Sequence, residues 1–432
     1  MSQRCLIIAD DITGGADAGA QFAKNGLSTL LISIRNDHKI DFSEYKERDI
    51  IVVNTDSRGL SPEKAFFLIS SLLKGYDKEL FPILYKKIDS TLRGNIGYEI
   101  DAILKETDSP MCFVAPSYPE QNRTLVGGIM MVGGIPLALT EVACDTASPV
   151  RESHVNKLLQ QQTRNRIGWI DFTHVASSCE LLKKAIEAEQ NKGNRIIIFD
   201  AVSRRDLTNI VDVAFSMDRK TLFVGSAGLA EEVAKKLYPS KNRPSQPLQR
   251  VSKPVQHIFI ISGSASSVTH QQLKRLEERN IPFFELNQFL LTDDHPEVLR
   301  KKKEFSLGIS NSLSKGHAVL KTPSEILPSR DLLIHLKITK TLAAIALMVL
   351  EESKVDVHDL ALILTGGETA LSIINTLRVE EIEIEGELLE GIVKEHLIGG
   401  NWDGLTVITK AGAFGKENAI EKIVEILETE SI

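Results

Sequence analysis

Short apolar runs alternate along this chain with longer stretches whose apolar residues recur at helical spacing. The first half carries such runs at Cys5–Ala9, Ser28–Ile34, Ile50–Val53, Phe81–Tyr85, Met111–Val114, Arg195–Phe199 and Thr221–Val224. This alternation predicts βαβ units and a mostly parallel sheet. Between the fifth and sixth runs, Gly127–Leu139 sets paired glycines around apolar residues and reads as a hairpin or irregular insertion. The alternation resumes at His257–Ile261, Leu360–Leu364 and Thr406–Thr409, each run leading into a glycine-bearing turn and a helical pattern. Tyr238–Pro254 separates the two series, and its prolines among Ser, Lys, Asn, Arg and Gln disfavour both helix and central strand.

With 432 residues the chain exceeds what one ordinary core organises. The expected fold class is α/β with two domains, each a mostly parallel sheet flanked by helices, and an active site in the cleft between them. Their expected limits are 1–240 and 255–432, joined by a linker at 241–254.

Composition narrows the partners. A chain 42% hydrophobic and 25% charged is an ordinary soluble globular sequence, without the 18 or so consecutive apolar residues of a spanning helix. Met1–Asp11 runs into a strand pattern without a secretory leader, so the expected location is the cytoplasm. Cys5, Cys112, Cys144 and Cys179 form no Cys-x-x-Cys pair and are expected to be reduced and mostly buried. A net charge of −7 argues against a nucleic-acid partner, so any anionic ligand must be met by local cations.

Those cations gather after the fourth run, where Lys86-Lys-Ile-Asp-Ser-Thr-Leu-Arg-Gly-Asn95 combines cations, a carboxylate, hydroxyls and an amide. Open α/β sheets bind ligands beyond the carboxyl ends of their strands, and this mixture suits a small, anionic, hydroxylated ligand. If the strand continues, Lys86 and Lys87 point to opposite faces, and only one reaches a site. The first run ends in Asp10 and Asp11, with Thr13 suited to cap the helix that follows. A carboxylate there can accept from sugar hydroxyls and take the proton of the one that attacks phosphorus. Asn54-Thr-Asp-Ser-Arg58 arrives at the same sheet edge, and the Arg58 fork can hold a carboxylate at two points. Arg123, in a further Pro-broken loop, can meet another anion.

In the second half three strand ends carry glycine: Ser262-Gly-Ser264, Thr365-Gly-Gly-Glu-Thr369 and Lys410-Ala-Gly-Ala-Phe-Gly415. Three such turns at one edge, with Ser264, Thr365, Thr369 and Lys410 beside them, predict a phosphate-binding cleft. Neither the Walker sequence nor the dinucleotide Gly-x-Gly-x-x-Gly is present. Also missing are His-Glu-x-x-His, a zinc pattern of cysteines and histidines, and Gly-x-Ser-x-Gly, and no residue is assigned to a metal.

Taken in order, Ala9-Asp-Asp-Ile-Thr-Gly14, Asn54–Arg58, Lys86–Asn95, Thr365–Thr369 and Lys410–Gly415 resemble the four-carbon acid sugar kinases across nearly the whole chain. The resemblance implies an amino-terminal domain for the sugar acid and a carboxyl-terminal domain for ATP. By matching positions it puts Asp11, Arg58, Lys87, Asp89, Ser90, Thr91 and Arg93 around the substrate, and Ser264, Gly366, Gly367, Glu368, Thr369 and Gly412 around the nucleotide. The implied reaction carries the γ-phosphoryl group of Mg²⁺-bound ATP to the C4 hydroxyl of D-threonate or D-erythronate. Asp11 is the first choice of base and Asp89 the second. Ala413 stands where the family more often has glycine. A 3-oxotetronate 4-kinase of the same family is the nearest alternative. A nicotinamide-dependent sugar-acid dehydrogenase and a non-catalytic sugar-acid sensor are the alternatives from other classes. A homodimer follows only from the general frequency of two-fold oligomers.

Overall fold

The computed structural model describes residues 4–34, 40–145, 148–217, 220–239, 254–264, 266–291, 295–322 and 334–429. The chain divides into two compact units, Met1–Pro247 and Leu248–Ile432. The linker expected at 241–254 lies, apart from Pro254, outside the described residues.

The first unit contains β1 (Cys5–Ala9), β2 (Thr29–Ser33), β3 (Ile50–Asn54), β4 (Ile83–Lys87), β5 (Met111–Ala115), β6 (Arg123–Val126), β7 (Ile129–Val132), β8 (Ile135–Pro136), β9 (Ile167–Ile170), β10 (Ile196–Phe199) and β11 (Thr221–Gly225). Its main sheet runs β2-β3-β1-β4-β11-β5-β10-β9, with every pair parallel. Helices cover both faces of such a sheet, so β1, β2, β3 and β5 are buried end to end and apolar almost without interruption. From β1 the chain moves outward to β2, returns through β3 and crosses to β4 on the other side, so the strand order reverses about β1. That reversal opens a crevice at the carboxyl end of β1.

Local chemistry departs from the sequence reading in three places. Helix Ile12–Ala23 is capped by Asp11, not Thr13: Asp11 has extended backbone and its Oδ1 accepts from Gly14 N at 3.1 Å. Strand β4 is shifted two residues from Phe81–Tyr85, so Lys86 and Lys87 are its last residues and both are buried. Cys5 and Cys112 are buried, whereas Cys144 and Cys179 are exposed; all four are free thiols. The glycine-paired insertion is a small antiparallel sheet, β6-β7-β8, turned at Gly127-Gly128 and Gly133-Gly134. All four glycines have positive φ, as two-residue hairpin turns demand. Buried Asp200 pins the first turn by accepting from Gly127 N at 2.7 Å and Gly128 N at 3.0 Å.

The second unit contains β12 (His257–Ser262), β13 (Phe283–Glu285), β14 (His317–Lys321), β15 (Leu360–Thr365), β16 (Glu381–Leu389), β17 (Ile392–Ile398) and β18 (Thr406–Lys410). Its strands run β13-β14-β12-β15-β18-β17-β16, parallel as far as β18 and antiparallel through β17 and β16. The order reverses about β12 as it does about β1. Ile258, Ile260, Ile363 and Ile408 pack on one face against Leu273, Leu276, Ile420 and Ile423. Among the described residues no helix is long and apolar enough to cross a membrane.

One buried acid in this unit has a measurable consequence. Glu395 of β17 is fully buried, and the adjacent Thr409 hydroxyl offsets little of that burial, which pushes its carboxyl up to about 8. An acid raised in the folded state costs stability as pH climbs from the ordinary 4.5 to that value. Glu395→Gln is therefore expected to leave the melting temperature at pH 5 nearly unchanged. At pH 8.5 it should raise it, by the equivalent of about 4–5 kcal/mol. Equal melting temperatures for the two proteins at pH 8.5 would show that Glu395 bears no such cost.

Candidate functional site

In the first unit three loops meet beyond β1, β3 and β4. Asp10 and Asp11 follow β1, and Arg58 comes from the loop after β3. Arg58 makes a two-point fork to Asp10, Nε to Oδ2 at 2.8 Å and Nη2 to Oδ1 at 3.1 Å, and Nη2 also reaches Asp11 Oδ1 at 2.7 Å. Burial pushes the Asp10 carboxyl up, but Arg58, Lys86 and Lys87 together outweigh it and hold Asp10 below the usual carboxylate value. The two-point fork foreseen for a ligand carboxylate is thus made to Asp10. Asp11 differs in being partly open, its side chain 19% exposed against 3% for Asp10. Its second oxygen, Oδ2, accepts from Thr13 Oγ1 at 2.9 Å.

The loop after β4 supplies the second pair. Arg93 donates from Nε to Asp89 Oδ2 at 3.0 Å and from Nη2 to Oδ1 at 3.1 Å, while Nη1 reaches Asp145 Oδ2 at 3.2 Å. Thr91 adds its N–H, at 3.0 Å, and its hydroxyl to Asp89 Oδ2. Burial opposes ionisation of Asp89, but Arg93, Arg58 and these hydrogen bonds prevail and hold it well below the ordinary range. A carboxylate so fully engaged is a poor proton acceptor, which favours Asp11 over Asp89 as a base. Ser90 is buried in the same loop. Burial lowers the Arg123 guanidinium against the pull of Asp89.

Lys86 and Lys87 face opposite ways, as adjacent strand residues must. Lys86 turns to Glu99 on helix Ile96–Thr107, Nζ to Oε2 at 2.5 Å, with both side chains sealed from solvent. Lys87 turns towards helix Ile12–Ala23 and donates to Ile88 O at 2.9 Å. A Cβ on Gly14 would lie 2.9 Å from Lys87 Nζ and overlap Asp11 Oδ1, so glycine there leaves room for both. Gly94 has φ +95°, and a Cβ on it would press on Arg58 Cγ at 3.2 Å and Asp10 Oδ2 at 3.3 Å. Asn95 fastens the two loops by donating from Nδ2 to Ser57 O at 3.1 Å and Leu60 O at 2.9 Å. Buried Leu92 is held at φ 61°, a conformation costly for a branched side chain, and marks this loop as strained.

In the second unit the three glycine-bearing strand ends lie together. A Cβ on Gly263 would overlap the Thr369 hydroxyl, and one on Gly412 would overlap Ser264 Oγ. Gly366, at φ +95°, precedes helix Gly367–Thr376 and lies beside Ser264. Ser264, Gly366, Gly367, Thr369 and Gly412 thus share one sheet edge at a helix N-terminus, whose free N–H groups attract phosphate. Glu368 is exposed in the first turn of that helix. Lys410 stands beside the turn that follows it, with Nζ on Ala411 O and Gly412 O. It is wholly buried, points inward, and is pushed by burial down to about 7. Among the described residues no three His, Cys, Asp or Glu side chains converge as a metal cage.

Several contributors have no signal in the motifs. Glu99 pairs with Lys86 across 13 residues of sequence, Asp145 meets Arg93 across 52, and Gln272 reaches the turn after β18 across more than 140.

Comparison with known proteins finds two family models along the chain. Residues 5–233 match the Sugar-binding N-terminal domain and residues 259–420 the Nucleotide-binding C-terminal domain. The protein class is therefore a sugar-binding domain followed by a nucleotide-binding domain. The chain is 27% identical to a D-threonate kinase of Salmonella typhimurium, covering 96% of each sequence. It is 28% identical to a D-erythronate kinase of Heliobacterium modesticaldum, covering 98% of this chain and 97% of the relative. A 3-oxo-tetronate kinase of Burkholderia multivorans is 25% identical over 98% of this chain and 96% of its own. The fold recurs in a Salmonella typhimurium structure described as a putative tRNA synthase (TM-score 0.78, 20% identity, 97% of this chain and 98% of that one). It recurs too in a Haemophilus influenzae protein (TM-score 0.72, 22% identity, 98% and 100%). This chain belongs to the four-carbon acid sugar kinase family.

Proposed function

We propose that this kinase transfers the γ-phosphoryl group of ATP to the C4 hydroxyl of D-threonate or D-erythronate. One observation carries the reading: partly open Asp11 sits at the reversal point of the first sheet, fixed by Arg58, which also faces the Asp89 carboxylate, and with Lys87 beside it. An acid sugar needs cations for its carboxylate, acceptors for its hydroxyls and a base for the one that reacts. All three are present here, and of the carboxylates Asp10, Asp11 and Asp89 it is Asp11 whose side chain is most open, 19% exposed against 3% and 13%.

Phosphoryl transfer asks chiefly for alignment and charge neutralisation. Asp11 takes the proton of the attacking hydroxyl, and its contact with Arg58 keeps the carboxylate oriented until then. Lys87 and Arg93 supply positive charge near the acid. In the second unit the helix start Gly367–Thr369 and Gly412 offer backbone N–H groups to the nucleotide phosphates. Mg²⁺ reaches kinase sites largely on those phosphates with its own waters, so it demands no all-protein cage, and none is present among the described residues.

The test is a coupled ADP-release assay over the isomers of threonate, erythronate and 3-oxotetronate. Turnover of D-threonate or D-erythronate above the others supports the reading. Preference for a 3-oxotetronate moves the enzyme to the neighbouring branch, and no turnover with any of them removes the proposal.

A further inference from the structure

The turn after β18 is shaped from behind, by side chains that gather its carbonyls. Lys410 Nζ donates to Ala411 O at 3.0 Å, Gly412 O at 3.2 Å and Thr269 Oγ1 at 3.2 Å. In its protonated form the amine carries three N–H groups, and these three acceptors match them. Thr269 Oγ1 in turn donates to Gly412 O at 2.8 Å. One turn along the same helix, Ser267–Leu276, buried Gln272 points Nε2 at Phe414 O, Gly415 O and Lys416 O, at 3.2, 3.1 and 2.9 Å. Five carbonyls between Ala411 and Lys416 are therefore drawn to one side.

A trans peptide points its N–H opposite to its carbonyl. With the carbonyls of Ala411 and Gly412 turned to Lys410, the N–H groups of Gly412 and Ala413 face the other way. Successive N–H groups presented together form an anion-binding concavity. We propose that Lys410, Thr269 and Gln272 are positioning residues for nucleotide phosphate: they take up the carbonyls of the Ala411–Lys416 turn and leave to the ligand its N–H groups other than that of Phe414, which donates to Ala411 O at 3.1 Å. Lys410 then acts through the turn and is not itself a phosphate ligand. This rests on the nucleotide reading of the second unit.

Gln272→Met keeps the length of the side chain and removes its donors. Calorimetric titration of the full chain with ADP should show a dissociation constant raised about tenfold, the scale of one or two lost hydrogen bonds. Adenosine, which has no phosphate, and D-threonate should bind within about twofold of the unaltered protein, changes too small to count as a lost contact. ADP affinity within that same twofold, or equal losses for ADP and adenosine, would overturn the positioning role while leaving the nucleotide reading intact. Failure of the unaltered chain to bind ADP would overturn both. Should Gln272→Met not fold, Thr269→Val, which removes one hydroxyl at nearly constant shape, carries the same comparison with an ADP loss of about threefold.

Discussion

Asp11→Asn is expected to lower kcat on the accepted four-carbon acid by about 10²- to 10⁴-fold, the usual worth of a positioned general base. Asparagine has the shape of aspartate and is an equally good helix cap. Its Oδ1 still accepts from Gly14 N and Arg58, so helix Ile12–Ala23 and the Asp10–Arg58 fork should persist. What disappears is the negative charge and the capacity to take a proton. Steady-state kinetics with a melting curve separate the possibilities: an unchanged kcat in a folded variant shows that Asp11 is not the base. Asp89→Asn provides the contrast. It weakens the hold on Arg93, so its effect should fall mainly on KM for the sugar acid.

The contrast between Asp11 and Asp89 also shows what the residue order alone conveys. Both lie just past the end of a strand, and both are carboxylates near cations, so nothing in their local sequence ranks them. Rank comes from how the loop folds back on itself: Thr91 and Arg93, two and four residues on, converge on Asp89, whereas Asp11 keeps a partly open edge. The strands themselves were legible because parallel strands covered on both faces are almost continuously apolar, as Ile50–Asn54 and Leu360–Thr365 are. Edge elements were not. β9 is four residues containing a glycine, β13 is three, and β16 alternates Glu with Ile in a way that resembles solvated helix or loop as readily as a hairpin. Lys410 illustrates the remaining gap. A lysine at a strand end beside glycines fits a phosphate ligand and a carbonyl anchor equally well, and only the direction of its side chain decides.

Lys86→Met should destabilise the first unit by about 3–5 kcal/mol, the usual consequence of removing one partner from a buried ion pair. Glu99 would stay buried with the Ser57 hydroxyl, at 2.5 Å, as its remaining direct partner, and with the Asp10 carboxylate nearby. Burial already raises the Glu99 carboxyl above its ordinary value despite Lys86, and without the ammonium it must rise further. An acid raised in the folded state loses stability as pH climbs from its unfolded value through its folded one. The deficit should therefore be smaller at pH 5.5, where Glu99 can bind a proton, than at pH 8. Thermal melting of the variant at the two pH values measures this, with hydrogen exchange in helix Ile96–Thr107 as the local readout. The double variant Lys86→Met/Glu99→Leu removes both charges and should recover much of the loss, since a buried pair replaced by apolar groups of similar volume is often no less stable. Recovery of stability without recovery of turnover would place the value of the pair in orienting Asp10 and Arg58. A deficit equal at both pH values would instead mean that the lysine contributes packing alone.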